Sequence, residues 1–172
     1  MYKVAIIGPE STGKSTLARE LAEQFKGTYV PEYAREYVER KGRKELTYDE
    51  VCEIAREQIR SIRPKDGLSS ISEAVHQAKP VFFDTELIVT KVWLEYAFRK
   101  VPEWLVDAIK TYPMDLYLLT YPDIPWVPDP ARYNGSQAMR EELFDRYEEE
   151  VKATGVPYYV IRHDLGFRIS NF

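Results

Sequence analysis

Residues 8 to 15 read Gly-Pro-Glu-Ser-Thr-Gly-Lys-Ser, two glycines with four residues between them, then a lysine and a hydroxyl. Glycines at these places let the backbone wrap tightly and turn its N–H groups toward one point, a cradle for phosphate oxygens. A helix starting there adds the positive end of its dipole. Lys14 supplies a compact charge for β- and γ-phosphates, and the Ser15 hydroxyl a hard oxygen for Mg²⁺. This is the Walker A pattern, and its cradle comprises Gly8, Glu10, Ser11, Thr12, Gly13, Lys14, Ser15 and Thr16. It follows the apolar run Tyr2 to Ile7 and precedes Leu17, Leu21 and Phe25 at four-residue spacing, so strand and helix stand where the pattern needs them.

Three further stretches carry chemistry. Val-Phe-Phe-Asp-Thr-Glu (81–86) ends an apolar strand on Asp84, with Glu86 two residues on. A carboxylate at the C-terminal edge of a parallel sheet faces the ligand crevice. There Asp84 can hold Mg²⁺ or take a proton, or instead cap the next helix. Pro-Glu-Tyr-Ala-Arg-Glu (31–36) follows another short strand. Glu32 suits a general base or a partner for sugar hydroxyls, Tyr33 lies beside it, and Arg35 suits a phosphate or carboxylate. The alternative is an ordinary exposed helix start. Trp126 to Ser136 is proline-rich and contains Arg132, with Arg140 on the helix that follows. A loop that closes over the reacting group and brings arginines would exclude water and stabilise transferring charge. Trp93, Tyr96 and Trp126 are flat surfaces on which a ring can stack.

The elements that position these residues alternate. Strands are expected at Tyr2–Ile7, Thr28–Val30, Val81–Phe83, Asp115–Leu119 and Tyr158–Ile161. Gly27 stands where a helix C-terminal glycine belongs. Thr47 and Glu50 form a possible capping box before the apolar series Tyr48, Val51, Cys52, Ala55, Ile59 and Ile62. Helices are also expected around Leu68–Ala78, over Ile88, Val92 and Tyr96, from Pro102 to near Tyr112, and over Met139, Leu143, Tyr147 and Val151 up to Gly155. Strands alternating with helices imply a parallel sheet covered on both faces. One domain over 1–172 is expected, with a helical insertion at about 40–79 and a lid at about 121–140.

Composition narrows the partners. The 172 residues carry a formal charge of −4, with 44% hydrophobic and 30% charged residues. That mild, mixed acidity does not suit general nucleic-acid binding. Three Trp, thirteen Tyr and seven Phe argue against disorder. No apolar run reaches a membrane span, and no signal-peptide core is visible, so the cytoplasm is the expected compartment. Cys52 is the single cysteine, which excludes an intrachain disulfide and reads as a small buried hydrophobe. His76 and His163 share no metal-ligand spacing and read as structural.

These four stretches, in this order, resemble the ribosylnicotinamide kinase domain of bacterial NadR-type NAD-salvage proteins. The resemblance runs from Val4 to about Ile161. It rests on Gly-Pro-Glu-Ser-Thr-Gly-Lys-Ser, Glu-Tyr-Ala-Arg-Glu, Phe-Asp-Thr-Glu, and Trp-Val-Pro-Asp-Pro-Ala-Arg with Gly-Ser-Gln and Arg140. It implies a P-loop kinase fold with strand order 2-3-1-4-5. It also implies transfer of the ATP γ-phosphate to the 5′-hydroxyl of nicotinamide riboside. Carried over, Lys14 and Ser15 serve ATP and Mg²⁺, and Arg132 and Arg140 belong to the lid side. Asp84 and Glu32 are the two candidates for the base, with Asp84 preferred. Trp93, Trp126, Tyr33, Arg35 and Glu86 are counted with the acceptor. No His-x-Gly-His pattern occurs, so the adenylyltransferase step of larger family members is not expected, nor is direct repression. The end from Arg162 is short beside the family's further helix, with Arg168 loosely placed near adenine. The alternatives are a kinase for another nucleoside or nucleotide, and a regulatory nucleotide switch. No Asn-Lys-x-Asp element supports the second; Thr120-Tyr121-Pro122-Asp123 stands there instead.

Overall fold

The structure, a computed structural model, describes residues 2–63, 79–126 and 136–162. The helix expected at 68–78 lies outside these residues, as do most of the lid loop with Arg132, His76, His163 and Arg168.

The apolar runs become five parallel strands: β1 (Lys3–Ile7), β2 (Thr28–Val30), β3 (Val81–Asp84), β4 (Leu116–Thr120) and β5 (Tyr158–Ile161). Their order is β2-β3-β1-β4-β5, as expected. Strand ends shift by a residue against the sequence reading: β3 takes in Asp84, and β4 runs to Thr120. The helices are α1 (Lys14–Gln24), α2 (Tyr33–Lys41), α3 (Tyr48–Ile62), α4 (Leu87–Phe98), α5 (Glu103–Thr111) and α6 (Gln137–Thr154).

Alternation along β1 and its neighbours sends side chains to two cores. Val4, Ile6, Phe82, Leu118 and Ile161 meet Leu17, Ala18, Leu21 and Ala22 of α1 on one face. Ala5, Ile7, Phe83, Tyr117 and Leu119 meet α3, α4, α5 and α6 on the other. Helices thus lie on both faces. The second core is the larger, and α4 is buried on several sides at once, through Leu87, Ile88, Val92 and Leu94. Cys52 is buried at 4% exposure, as its helix face implied.

Local signals decide the helix ends. The Thr47–Glu50 capping box forms in full at the start of α3. Thr47 N–H and then the Arg43 guanidinium hold the Glu50 carboxylate down at about 2. Gly155 ends α6 in the left-handed region at φ 71. Gly27 acts differently from expectation. Lys26 carries the left-handed turn after α1, at φ 51. Gly27 is needed for space, because a Cβ there would lie 2.4 Å from the Pro80 carbonyl oxygen at the entry to β3. The helix α2 stands where the sequence offered an exposed helix start as the alternative. Its polar sequence buries only Tyr37, whose hydroxyl donates to Glu53 at 2.7 Å across to α3. That bond and burial push the Tyr37 phenol up to about 12.

Candidate active site

The C-terminal ends of β1, β2 and β3 lie side by side, with Ile6 beside Asp84 and Val30 beside Phe83. Everything that follows those strands therefore gathers at one edge, the ligand edge of an open parallel sheet. The loop after β1 leaves through Gly8, at φ 147. A Cβ on Gly8 would lie 2.3 Å from Thr120 Oγ1 and 2.6 Å from the Thr120 carbonyl oxygen, so only glycine fits. Ser11 takes a left-handed conformation at φ 55, and Gly13 caps α1 at φ 76. Lys14 is 4% exposed, and its Nζ donates to the Pro9 carbonyl at 2.6 Å. Ser15 is half-buried and Thr16 exposed on the first turn of α1.

A cavity opens from this loop. Gly8, Glu10 and Lys14 line it, together with Glu32, Arg35 and Arg140. Its far wall is apolar: Val51 and Ile54 of α3, Val89 and Trp93 of α4, Leu143 and Tyr147 of α6. Trp93 stacks on Tyr96 with ring centroids 6.1 Å apart. Sequence periodicity had read Val51, Leu143 and Tyr147 as core. A cavity wall and a core face share one period, so no sequence signal separates them.

Glu32 is the N-cap residue of α2, yet its side chain makes no capping hydrogen bond. The exposed-helix-start reading is thus right about its place, and the carboxylate nevertheless lines the cavity. Asp84, Tyr33 and Glu86 are placed elsewhere. They line a neighbouring recess between β3, α2 and α3, together with Glu36, Glu57 and Gln58. Thr85 lines both. It sits at φ 69, unusual for a β-branched residue, with its N–H donating to the Ile6 carbonyl at 3.0 Å. The Thr90 hydroxyl donates to Gln58 Oε1 at 2.7 Å and helps close the partition.

The helix cap considered for Asp84 belongs to Glu86, which accepts from Ile88 N–H at 2.8 Å. Glu86 is 2% exposed. Burial pushes its carboxyl up to about 8, against the lowering effect of the Ile88 and Leu87 N–H groups. Asp84 is equally buried; its Oδ2 accepts from the Tyr29 hydroxyl at 3.2 Å, and Oδ1 has no hydrogen-bond partner among the described residues. A buried carboxylate oxygen of this kind suits a donor or a cation. With the Ser15 hydroxyl it gives hard oxygen donors of the kind Mg²⁺ takes when phosphates supply the rest. No cluster of three or more His, Cys, Asp or Glu suited to a metal occurs among the described residues.

Arg140 is 3% exposed and anchored by backbone. It donates to the Ile124 carbonyl at 2.9 Å, to Gln137 Oε1, and at 3.5 Å to the Pro122 and Ser11 carbonyls. Its Nε has no partner among the described residues. Trp126 lines neither cavity, and its indole Nε1 is likewise buried without a partner among the described residues.

Comparison with known proteins agrees with this fold. The chain is 32% identical over 166 residues to the trifunctional NAD biosynthesis/regulator protein NadR of Escherichia coli (strain K12), covering 94% of this chain and 38% of that protein. A crystal structure of a NadR protein in complex with NR superposes with a TM-score of 0.68 and 25% identity, over 94% of this chain and 43% of that one. The chain therefore spans about two fifths of these relatives. Thymidylate kinase from Ehrlichia chaffeensis, at 14% identity and a TM-score of 0.61, covers 94% of this chain and 86% of its own, and shows the same fold. A family profile described as an AAA domain matches residues 3–168. With that match over nearly its whole length, and a glycine-framed lysine loop between β1 and α1, the chain belongs to the AAA-domain family.

Proposed function

We propose that this chain is an ATP-dependent kinase that phosphorylates the 5′-hydroxyl of nicotinamide riboside, giving nicotinamide mononucleotide. The observation that carries this is the single cavity joining Gly8 and Lys14 to an apolar, Trp93-walled chamber, with Glu32 at its side. The likeness to NadR, seen elsewhere in complex with NR, selects the acceptor from among the nucleosides such a chamber would take.

In this reading the loop N–H groups and the start of α1 hold the ATP phosphates, from Gly8 to Thr16. Lys14 leaves the Pro9 carbonyl for the β- and γ-oxygens. Ser15 and Asp84 would hold Mg²⁺, which when bound neutralises charge on the bridging phosphates. The acceptor ring lies against Trp93, with Arg35 at the mouth. The O5′ oxygen attacks the γ-phosphorus, the bond to the β–γ bridging oxygen breaks, ADP leaves, and the O5′ proton passes to a carboxylate. The sequence preferred Asp84 for that proton. The placement of Glu32 in the same cavity as Lys14, with Asp84 in the adjoining recess, favours Glu32 as base and Asp84 as metal ligand. Tyr33 and Glu86 then support the recess. Arg140 lends its spare Nε to transferring charge, and Arg132 is assigned to the lid from sequence alone. Trp126 leaves the acceptor set.

We also read residues 1–172 as one domain, acting in the cytoplasm without nucleic acid. No described helix is long and apolar enough to cross a membrane. The test is turnover of ATP by purified protein with Mg²⁺ and nicotinamide riboside, products identified by mass spectrometry. Nicotinamide mononucleotide formed mole for mole with ADP is the expected result. Phosphorylation of thymidine or deoxyadenosine in its place moves the acceptor and keeps the fold; hydrolysis without any acceptor ends the kinase reading. Glu32→Gln is expected to lose turnover while still binding ATP, on the order of a hundredfold or more.

A further inference from the structure

We propose that Thr120, the last residue of β4, is a positioning residue for the phosphate-binding loop. Its hydroxyl ties the loop to the sheet and thereby sets the carbonyl on which Lys14 rests. Thr120 is 0% exposed and Thr12, inside the loop, 1%. Their hydroxyl oxygens are 2.6 Å apart. Thr12 Oγ1 also lies 2.9 Å from the Pro9 carbonyl, the same oxygen that accepts from Lys14 Nζ at 2.6 Å. Thr120 Oγ1 lies 3.2 Å from the Ile7 carbonyl, the last of β1.

Two hydroxyl protons serve this chain of acceptors and can run either way. Thr120 donates to Thr12, which donates to Pro9; or Thr12 donates to Thr120, which donates to Ile7. In both directions the bond between the two threonines is kept, so the end of β4 is tied to the loop whichever carbonyl is served. Lys14 must release Pro9 to reach a phosphate. A loop buried on β4 keeps its shape when that bond is lost, and in the first direction the Pro9 carbonyl keeps a donor in Thr12. The contact at Gly8 points the same way, since no side chain fits between the loop's first residue and Thr120. The segment after β4 joins the arrangement from its other side: Arg140 reaches both the Ser11 carbonyl and those of Pro122 and Ile124.

This inference rests on the reading of residues 8–16 as an ATP site, and its test separates the two. The full chain is titrated with Mg²⁺ and AMP-PNP, and separately with AMP. Thr120→Val keeps the shape of the side chain and removes the hydroxyl. It is expected to raise the dissociation constant for AMP-PNP about tenfold. AMP, which does not reach Lys14, is expected to shift by less than about twofold, and Thr120→Ser to bind AMP-PNP within about threefold of the unmutated chain. The double variant Thr12→Val/Thr120→Val is expected to be no weaker than the worse single variant, since both remove one bond. If Thr120→Val does not fold, Thr120→Ala is read in its place. No AMP-PNP binding by the unmutated chain overturns both readings. Unchanged affinity in Thr120→Val, an equal loss for AMP, or a Thr120→Ser variant as weak as the valine, each overturns the role of Thr120 alone.

Discussion

The two ends of the cavity are built by opposite means. In the proposed function the phosphate end is built by eight consecutive residues that offer mostly backbone N–H groups, shaped by two glycines and by the Thr12 hydroxyl against Thr120. The acceptor end is made of side chains from α2, α3, α4 and α6, far apart in the chain and brought together by the larger core. The first is general, because every phosphate presents the same oxygens. The second is selective, because shape and polarity are set one side chain at a time. Variants at the phosphate end should therefore weaken all acceptors alike, and variants at the acceptor end should change the ranking of acceptors.

The sharpest break is at Lys14. Lys14→Ala should lower turnover on the order of a thousandfold with every acceptor, since it removes the charge that meets the γ-phosphate. Its thermal midpoint should move little, because the side chain donates to a carbonyl of its own loop. Loss of turnover for one acceptor and none for another, in a coupled ADP assay, would place Lys14 on the wrong side of the comparison.

A second test concerns the base of α4, which carries Val89 and Trp93 into the acceptor wall. Glu86 keeps its proton up to about pH 8 when folded and loses it near 4.5 when unfolded. Its contribution to stability is therefore fully present below about pH 4.5 and lost as pH rises through about 8. Glu86→Gln retains the oxygen that caps α4 and cannot ionise. Denaturant unfolding across pH 5–9 should show a decline in the parent, up to a few kcal/mol by linkage, that is absent in the variant. Parallel curves would mean that Glu86 does not titrate in this interval.

Trp93→Ala should raise the acceptor KM by about tenfold, the scale of one lost ring stack. The KM for ATP should hold. A rise in both would mean that the two ends are not separable.

The smallest effect is expected at Thr47. Thr47→Ala removes the cap of α3, whose Val51 and Ile54 line the acceptor wall. It should lower the thermal midpoint by about 2–4 °C. The backbone N–H of residue 47 and the Arg43 guanidinium still hold the Glu50 carboxylate in this variant, so the acid limb of stability, present above about pH 4.5 and lost as pH falls toward 2, should be unchanged. A weakened acid limb would show that the Thr47 hydroxyl, beyond the backbone N–H, Arg43 and Lys41, holds Glu50.

Much of the phosphate end was legible in the residues. Its ligands are contiguous, and the glycines at 8 and 13 are demanded by backbone geometry that local sequence records. The capping box at Thr47 and the stop at Gly155 were legible for the same reason. Strand order followed from alternation only with the family resemblance beside it, since alternation implies a parallel sheet and not which strand neighbours which. Gly27 shows the limit: its local setting suggested a left-handed cap, while its actual need is the close approach of Pro80, a residue distant in the chain.

The sequence by itself determined the phosphate-loop pattern, the sheet class, the apolar faces of α1, α3, α4 and α6 and the acidic candidates, because each is a matter of neighbours within a few residues. Only the tertiary structure decided that Glu32 shares a cavity with Lys14 while Asp84 and Glu86 face the adjoining recess. It alone placed the core residues Val51, Leu143 and Tyr147 along the cavity as well, and set Thr120 against Gly8 and Thr12. Those outcomes depend on packing between elements, and packing is decided by which surfaces remain to be covered once every helix has found its place on the sheet.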